Sequence, residues 1–261
     1  MSRDIWDPKL YARYAAERTR PFHDLVARIH ADDPRYVVDA GCGSGALTAE
    51  LARRWPHAEV LGFDSSPAMI DEARRHAGER LSFAVRDVRD PLPDEHRIDV
   101  LVSNAVLQWV PEHRELLAAW AKALRPGAWL AFQVPGNFAA PSHTLVNELC
   151  RTDRWRHRLG DLKPRDPVDD PTDYLDLLAG QGLRVDAWET TYIHVLPPGE
   201  DAVLNWIEGT ALRPVLNRLA ETERAAFLAE CGALLRDAYP SRSYGVPFPF
   251  RRVFVVAEKT G

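Results

Sequence analysis

Val37-Val38-Asp39-Ala40-Gly41-Cys42-Gly43-Ser44-Gly45 is the strongest local signal in the chain. A short apolar run, Tyr36-Val37-Val38-Asp39, stops at three glycines spaced at alternate positions. From Ala46 to Trp55 the apolar residues then take helical spacing. A buried strand, a glycine turn and a helix start form a ligand-binding unit. Glycine admits positive φ and lets a ligand approach bare backbone, and the first turn of a helix offers N–H groups without intrahelical partners. The fingerprint of dinucleotide-binding folds is G-x-G-x-x-G. Here the spacing is G-x-G-x-G, and Asp39 precedes the first glycine by two residues. That spacing argues against a nicotinamide-dependent dehydrogenase.

On either side the chain alternates in the same way. Asp7-Pro8 opens a helix expected to run to about Arg18, and a second helix is expected over Phe22–His30, whose apolar Phe22, Leu25, Val26 and Ile29 share a face. Strands are expected over Glu59–Asp64, Leu81–Val85, Ile98–Ser103 and Trp129–Val134. Helices begin at Ser66-Pro67 and span Glu112–Leu124. Later come helices over Ser142–Arg151 and Thr172–Ala179, a long strand over Leu183–Val195, helical pieces at Ala202–Ile207 and Glu221–Ala238, and a last strand over Arg252–Ala257. Apolar strands alternating with helices predict an α/β fold: a Rossmann-like, mostly parallel seven-stranded sheet with helices on both faces, preceded by N-terminal helices and carrying a helical insertion before the last strand. We read residues 1–261 as a single domain, with a cofactor-binding half over 30–134 and substrate-covering insertions at 135–170 and 197–248.

The composition bounds the function. The 261 residues are 46% hydrophobic and 27% charged, with a formal net charge of -5. Nucleic acid is not expected as a partner, because a polyanion binder needs a basic surplus. The three cysteines, Cys42, Cys150 and Cys231, are far apart, and no Cys/His spacing suggests a metal site or a disulfide framework. The charged start lacks the apolar core of a signal peptide, and no apolar run reaches the ~18 residues of a membrane span. The expectation is a cytoplasmic protein without a membrane partner. Its oligomeric state is not legible.

Two further strand ends carry acids. Asp64 closes the second strand, in Gly62-Phe63-Asp64-Ser65-Ser66, where an acid accepts hydrogen bonds from ribose hydroxyls. Asp87 follows the third, in Val85-Arg86-Asp87-Val88. The fourth ends in Asn104-Ala105-Val106-Leu107-Gln108-Trp109. These strand ends lie at the C-terminal edge of a parallel sheet, where open α/β folds bind ligands. Singly, each aspartate also reads as a loop cap. Together they resemble the cofactor site of S-adenosylmethionine-dependent methyltransferases. That resemblance implies cofactor contacts from Asp39, Gly41, Cys42, Gly43, Gly45, Asp64, Ser65, Met69, Asp87, Val88 and Asn104, with Asp87 reaching the adenine amino group and the next N–H meeting the ring. Enzymes of this class acting on amino groups of nucleic-acid bases carry Asn/Asp-Pro-Pro-aromatic at the fourth strand end, and Asn104-Ala105-Val106-Leu107 departs from it.

A narrower resemblance spans nearly the whole chain. Trp6-Asp7-Pro8, Ala16-Glu17-Arg18-Thr19-Arg20-Pro21, Asp64-Ser65-Ser66-Pro67-Ala68-Met69-Ile70, Leu107-Gln108-Trp109, Thr190-Thr191-Tyr192, Gly209-Thr210-Ala211-Leu212-Arg213-Pro214 and Phe250-Arg251-Arg252 resemble the trans-aconitate 2-methyltransferase family. The resemblance implies methyl transfer to a carboxylate of a small tricarboxylate, the monomethyl ester being the product. A carboxylate has a pKa of about 4 and is already nucleophilic at neutral pH, so no general base is required. Gln108 and Trp109 are the candidate positioning residues. Gln108 is read as bonding a substrate oxygen, and Trp109 as covering the sulfonium by a cation–π contact or as packing under the next helix. Holding the non-reacting carboxylates calls for arginine forks. Arg20, Arg213 and Arg252 are the candidates, with Arg18 a weaker one, and Tyr192 and His194 serve as donors. The helical insertion reads either as a lid or as added core or oligomer surface. Two alternatives stay open: methylation of another small acid or metabolite, and a non-catalytic S-adenosylmethionine-binding protein.

Overall fold

The computed structural model describes residues 15–162, 168–199, 201–209 and 211–261. Seven strands form one sheet: β1 Tyr36–Ala40, β2 Glu59–Asp64, β3 Leu81–Val85, β4 Val100–Asn104, β5 Trp129–Pro135, β6 Leu183–Leu196 and β7 Val246–Lys259. Their order is β3-β2-β1-β4-β5-β7-β6. β1 to β5 pair in parallel, and β7 runs antiparallel to β5. Every residue of β1 is buried, as are six of the seven in β5. Successive side chains of a strand point to opposite faces, so such strands are covered on both. β-branched and other bulky apolar residues meet that demand: Val37, Val38, Val100, Val102, Leu130 and Phe132 are all without exposure.

The chain forms two compact units. The larger comprises residues 15–135, 169–189 and 252–261 of the described chain. Its helices are α1 Ala15–Val26, α2 Ala46–Arg54, α3 Pro67–Ala73, α4 His113–Ala123 and, beyond the insertion, Pro171–Ala179. α2 packs on β2, α3 on β2 and β3, and α1 on β5. The smaller unit, residues 136–168 and 190–251, is built around α5 Pro141–Arg151, a short α6 Arg156–Leu159, α8 Ala202–Glu208, α9 Arg213–Leu216 and α10 Glu221–Ala238, with Pro171–Ala179 taken as α7. α10 is its spine. Phe227, Cys231 and Leu235 recur every four residues and are buried against α5 and α8. No helix among the described residues is long and apolar enough to cross a membrane.

Three expectations change. The two N-terminal helices were expected to part near Arg18–Phe22, yet α1 runs through Pro21 and ends at Val26, short of His30. Proline is tolerated there although its ring removes one helical hydrogen bond. Asp7-Pro8 lies outside the described residues. The final strand starts at Val246 rather than Arg252, so the insertion's last residues are strand, not helix. From Val246 to Arg251 buried positions alternate with more exposed ones, and only Arg252–Ala257 is buried without a break. That is why only Arg252–Ala257 stood out as an apolar run.

Candidate active site

The site sits where the strand order reverses, between β1 and β4, whose C-terminal ends lie side by side. At the end of β1 the three glycines take φ of 84°, 53° and 79°, the left-handed region expected of them. The turn is held by bonds from the N–H of Gly41 and Cys42 to the carbonyl of Phe63, and from Gly45 N–H to Cys42 carbonyl. Gly45 caps α2 and brings no side-chain acceptor to the helix's first turn. Each glycine faces a different space. A Cβ on Gly41 would lie 2.2 Å from Val106 Cγ2, and one on Gly45 2.7 Å from Ala73 Cβ. One on Gly43 would meet nothing within 4 Å among the described residues. The turn is therefore packed against protein at its two ends and open at its middle.

Asp39 is 2% exposed and accepts a 2.6 Å bond from the Thr48 hydroxyl. Burial pushes its carboxyl up to about 6. The Thr48 bond opposes that shift, and the charge of Asp64 adds to it. Asp64, at the end of β2, accepts from the N–H of Gly43 at 3.0 Å and of Ser66 at 2.9 Å. Its carboxylate thus ties the glycine turn to the start of α3, where Ser66 caps the helix by accepting from Met69 N–H. Met69 is buried and Ser65 exposed. Cys42 is half-buried, and burial raises its thiol pKa.

Beyond β3, Asp87 faces an arginine absent from the sequence reading. Arg89 donates from Nε at 2.8 Å and from Nη2 at 2.6 Å, one bond to each carboxylate oxygen. These bonds hold the Asp87 carboxyl below the usual carboxylate range. The hydrogen bonds of this turn use the N–H groups of Asp87, Arg89 and Asp90, and among the described residues none uses that of the buried Val88.

At the end of β4, Ala105 has φ 59°, a strained value for a residue with a Cβ. Its carbonyl accepts a 2.6 Å bond from Gln108 Nε2, so the amide that was read as bonding a substrate oxygen bends back onto its own loop. Gln108 Oε1 is buried without a hydrogen-bond partner among the described residues. Trp109 closes a 3₁₀ turn, half-buried. Asn104 Oδ1 accepts a 2.6 Å bond from Gln133 of β5, and Gln133 Oε1 accepts one of 3.3 Å from Arg252 of β7. Arg252 is 6% exposed and Gln133 1%. Gln133 escaped the sequence reading, although a lone amide inside Trp129–Val134 was the available signal.

The other candidates divide by unit. Arg20 lies exposed on α1, and the side chain of Arg18 lies outside the described residues. In the smaller unit, Arg213 opens α9, half-buried. Tyr192 and His194 are buried on β6. The His194 ring stacks on Trp206 at 4.8 Å and lies 6.3 Å from Tyr192 and 5.8 Å from Phe250. The arginine-rich stretch after α5 is tied up in ion pairs: Arg154 with Glu230, Arg156 with Asp153 and Arg158 with Glu223.

A family model described as a methyltransferase domain matches residues 37–127, which hold the glycine turn and every strand end described above up to β4. In the solved structure of the YcgJ protein of Bacillus subtilis the same fold recurs with a TM-score of 0.58 at 15% identity, covering 93% of this chain and 99% of that one. The trans-aconitate 2-methyltransferase of Rhodococcus jostii is 53% identical across 97% of this chain and 99% of its own length. That of Streptomyces coelicolor is 52% identical across 97% and 86%. Identity at that level extends over nearly the whole chain, and the chain belongs to the trans-aconitate 2-methyltransferase family.

Proposed function

We propose that this protein transfers a methyl group from S-adenosylmethionine to one carboxylate of trans-aconitate, giving the monomethyl ester. The observation that carries the reading is identity above 50% over 97% of the chain to relatives of that name. The geometry of the larger unit is compatible with the cofactor. The space at Gly43 accommodates a ligand against bare backbone, and the first turn of α2, which receives no side-chain cap, suits its polar groups. Asp64 keeps acceptor capacity for ribose hydroxyls, since each carboxylate oxygen has two lone pairs. Asp87 meets the adenine amino group by giving up part of its hold on Arg89, and the unused Val88 N–H faces the ring.

When bound, S-adenosylmethionine supplies an activated methyl group. The protein's work is orientation and exclusion of water. The attacking oxygen must be held at about 3–3.5 Å in line with the breaking bond, with its hydration stripped. Gln108 serves the donor rather than the acceptor. Its buried Oε1 is a hydrogen-bond acceptor, which repels a carboxylate and suits polarised C–H or ammonium groups of the cofactor. The non-reacting carboxylates call for arginine forks, and each candidate stands by itself: Arg20 and Arg252 in the larger unit, Arg213 in the smaller. Tyr192 and His194 are proposed to shape the pocket through their aromatic stack. The test is direct: purified protein is incubated with S-adenosylmethionine and a panel of di- and tricarboxylates, and products are read by mass spectrometry. A monomethyl ester formed from trans-aconitate in preference to the other acids supports the reading. Equal or better turnover of an uncharged acceptor sinks it.

A further inference from the structure

Gln133 lies in the middle of the sheet, 1% exposed, between Phe132 and Val134, which have no exposure at all. A primary amide in such surroundings is costly unless its polar ends are bonded. Here both are, and the chemistry of the partners fixes their sense. A guanidinium has donors only, so the atom of Gln133 facing Arg252 must be Oε1, at 3.3 Å. Nε2 must then face Asn104, which therefore turns Oδ1 toward it, at 2.6 Å. The Asn104 amide is left with one orientation, Nδ2 directed away from Gln133. No hydrogen bond of Nδ2 is found among the described residues. Asn104 is half-exposed, ends β4 at the switch point of the sheet and precedes the strained Ala105.

We propose that Gln133 is a positioning residue: it relays the donor-only character of Arg252 to Asn104 and so holds the Asn104 amide as a hydrogen-bond donor to a carboxylate oxygen of a reactant. The inference rests on the methyl-transfer reading above. The shared chemistry is a carboxylate, and it has two sources, the acceptor acid and the amino-acid end of the methyl donor. Without the relay, Asn104 is free to present its carbonyl instead, which repels the same oxygen.

The experiment is a double-mutant cycle in the full chain with Gln133→Glu and Asn104→Leu. A glutamate accepts from both Arg252 and Asn104 Nδ2, so it keeps the buried network bonded but reverses the Asn104 amide. Gln133→Glu is expected to lower carboxylate affinity by about tenfold, the loss of one charge-assisted bond. Its effect is expected to shrink once Asn104 is leucine, and what remains in the KM of trans-aconitate is the share of Arg252 that the glutamate engages. Circular dichroism and thermal melts establish that each variant folds, and Gln133→Met provides a neutral, similar-sized second probe with a smaller loss. The readouts are the Kd of S-adenosylhomocysteine and the KM of trans-aconitate. Coupling in the first assigns the bond to the donor's carboxylate, and coupling in the second assigns it to the acceptor's. Additive effects of the two substitutions, or a lower melting temperature with both constants unchanged, overturn the relay. A wild-type protein inert toward trans-aconitate overturns the acceptor reading alone, because the S-adenosylhomocysteine titration still tests Gln133.

Discussion

At the scale of the residue, the acids at the strand ends tie the surrounding chain together. Asp64 accepts two backbone N–H groups from separate segments, Gly43 and Ser66. Asp64→Ala is therefore expected to lose on two counts. Cofactor affinity should fall by roughly ten- to a hundredfold, as expected for losing a hydrogen bond to a charged acceptor. Stability should fall by about 1–3 kcal/mol, because two N–H groups lose their partner. Calorimetric titration with S-adenosylhomocysteine and a urea melt read the two separately, and an unchanged affinity removes Asp64 from the cofactor site. Asp39 makes a pH prediction. Its folded pKa, about 6, lies above the ordinary 3.8, so its ionisation opposes folding. The stability it lends is complete below about pH 4 and is lost as pH rises through about 6. Asp39→Asn keeps an acceptor for Thr48 and removes the charge. It should be more stable than wild type by up to about 3 kcal/mol at pH 7.5, a gain that shrinks toward zero at pH 4. A gain independent of pH would mean that the buried charge is not its source.

At the scale of the element, the strand–turn–helix unit around Gly41, Gly43 and Gly45 separates two reasons for glycine. All three have positive φ, which costs an alanine about 1–2 kcal/mol. At Gly41 a Cβ also collides with Val106, adding overpacking of about 1–3 kcal/mol. At Gly43 the described residues leave room. Gly41→Ala should therefore lower the melting temperature clearly more than Gly43→Ala does. Gly43→Ala should stay folded and lose cofactor affinity, because its methyl group enters the ligand's space. Thermal melts alongside ligand titration check the pair, and a folded Gly43→Ala variant with wild-type affinity would show that the open side of the turn is not where the cofactor lies. The turn's spacing was plain in the sequence. The collision partner was not, since Val106 follows a different strand.

For the whole molecule, the electrostatic problem is to draw a trianion to a protein of net charge -5. The mean field is repulsive, so attraction must come from local cations. Arg252→Ala and Arg213→Ala should each raise the KM for trans-aconitate about ten- to a hundredfold, leaving the KM for S-adenosylmethionine within a few-fold. Lysine should restore activity only in part, lacking the planar two-point grip. Arg252→Ala also deprives Gln133 Oε1 of its donor, so steady-state kinetics must be paired with a stability measurement. Unchanged tricarboxylate KM in both variants would dismiss the clamp.

The alternation of apolar runs and helical spacing was sufficient, without coordinates, for the class of fold, the seven strands and the register of Gly41, Asp64, Asp87 and Asn104 along one edge. Each of these follows from local chemistry: a period, a cap, or a glycine where φ must be positive. Tertiary structure alone decided what the polar atoms meet. Arg89 reaches Asp87 across two residues, but whether it turns inward depends on the fold of that loop. Gln133 and Arg252 become partners only because β7 is laid antiparallel beside β5, over a hundred residues away along the chain. His194 is enclosed by Trp206 and Phe250 because distant segments converge on it. Periodicity records which way a side chain faces. Hydrogen-bond direction and burial depend on neighbours brought in by long-range pairing, and no local pattern encodes them.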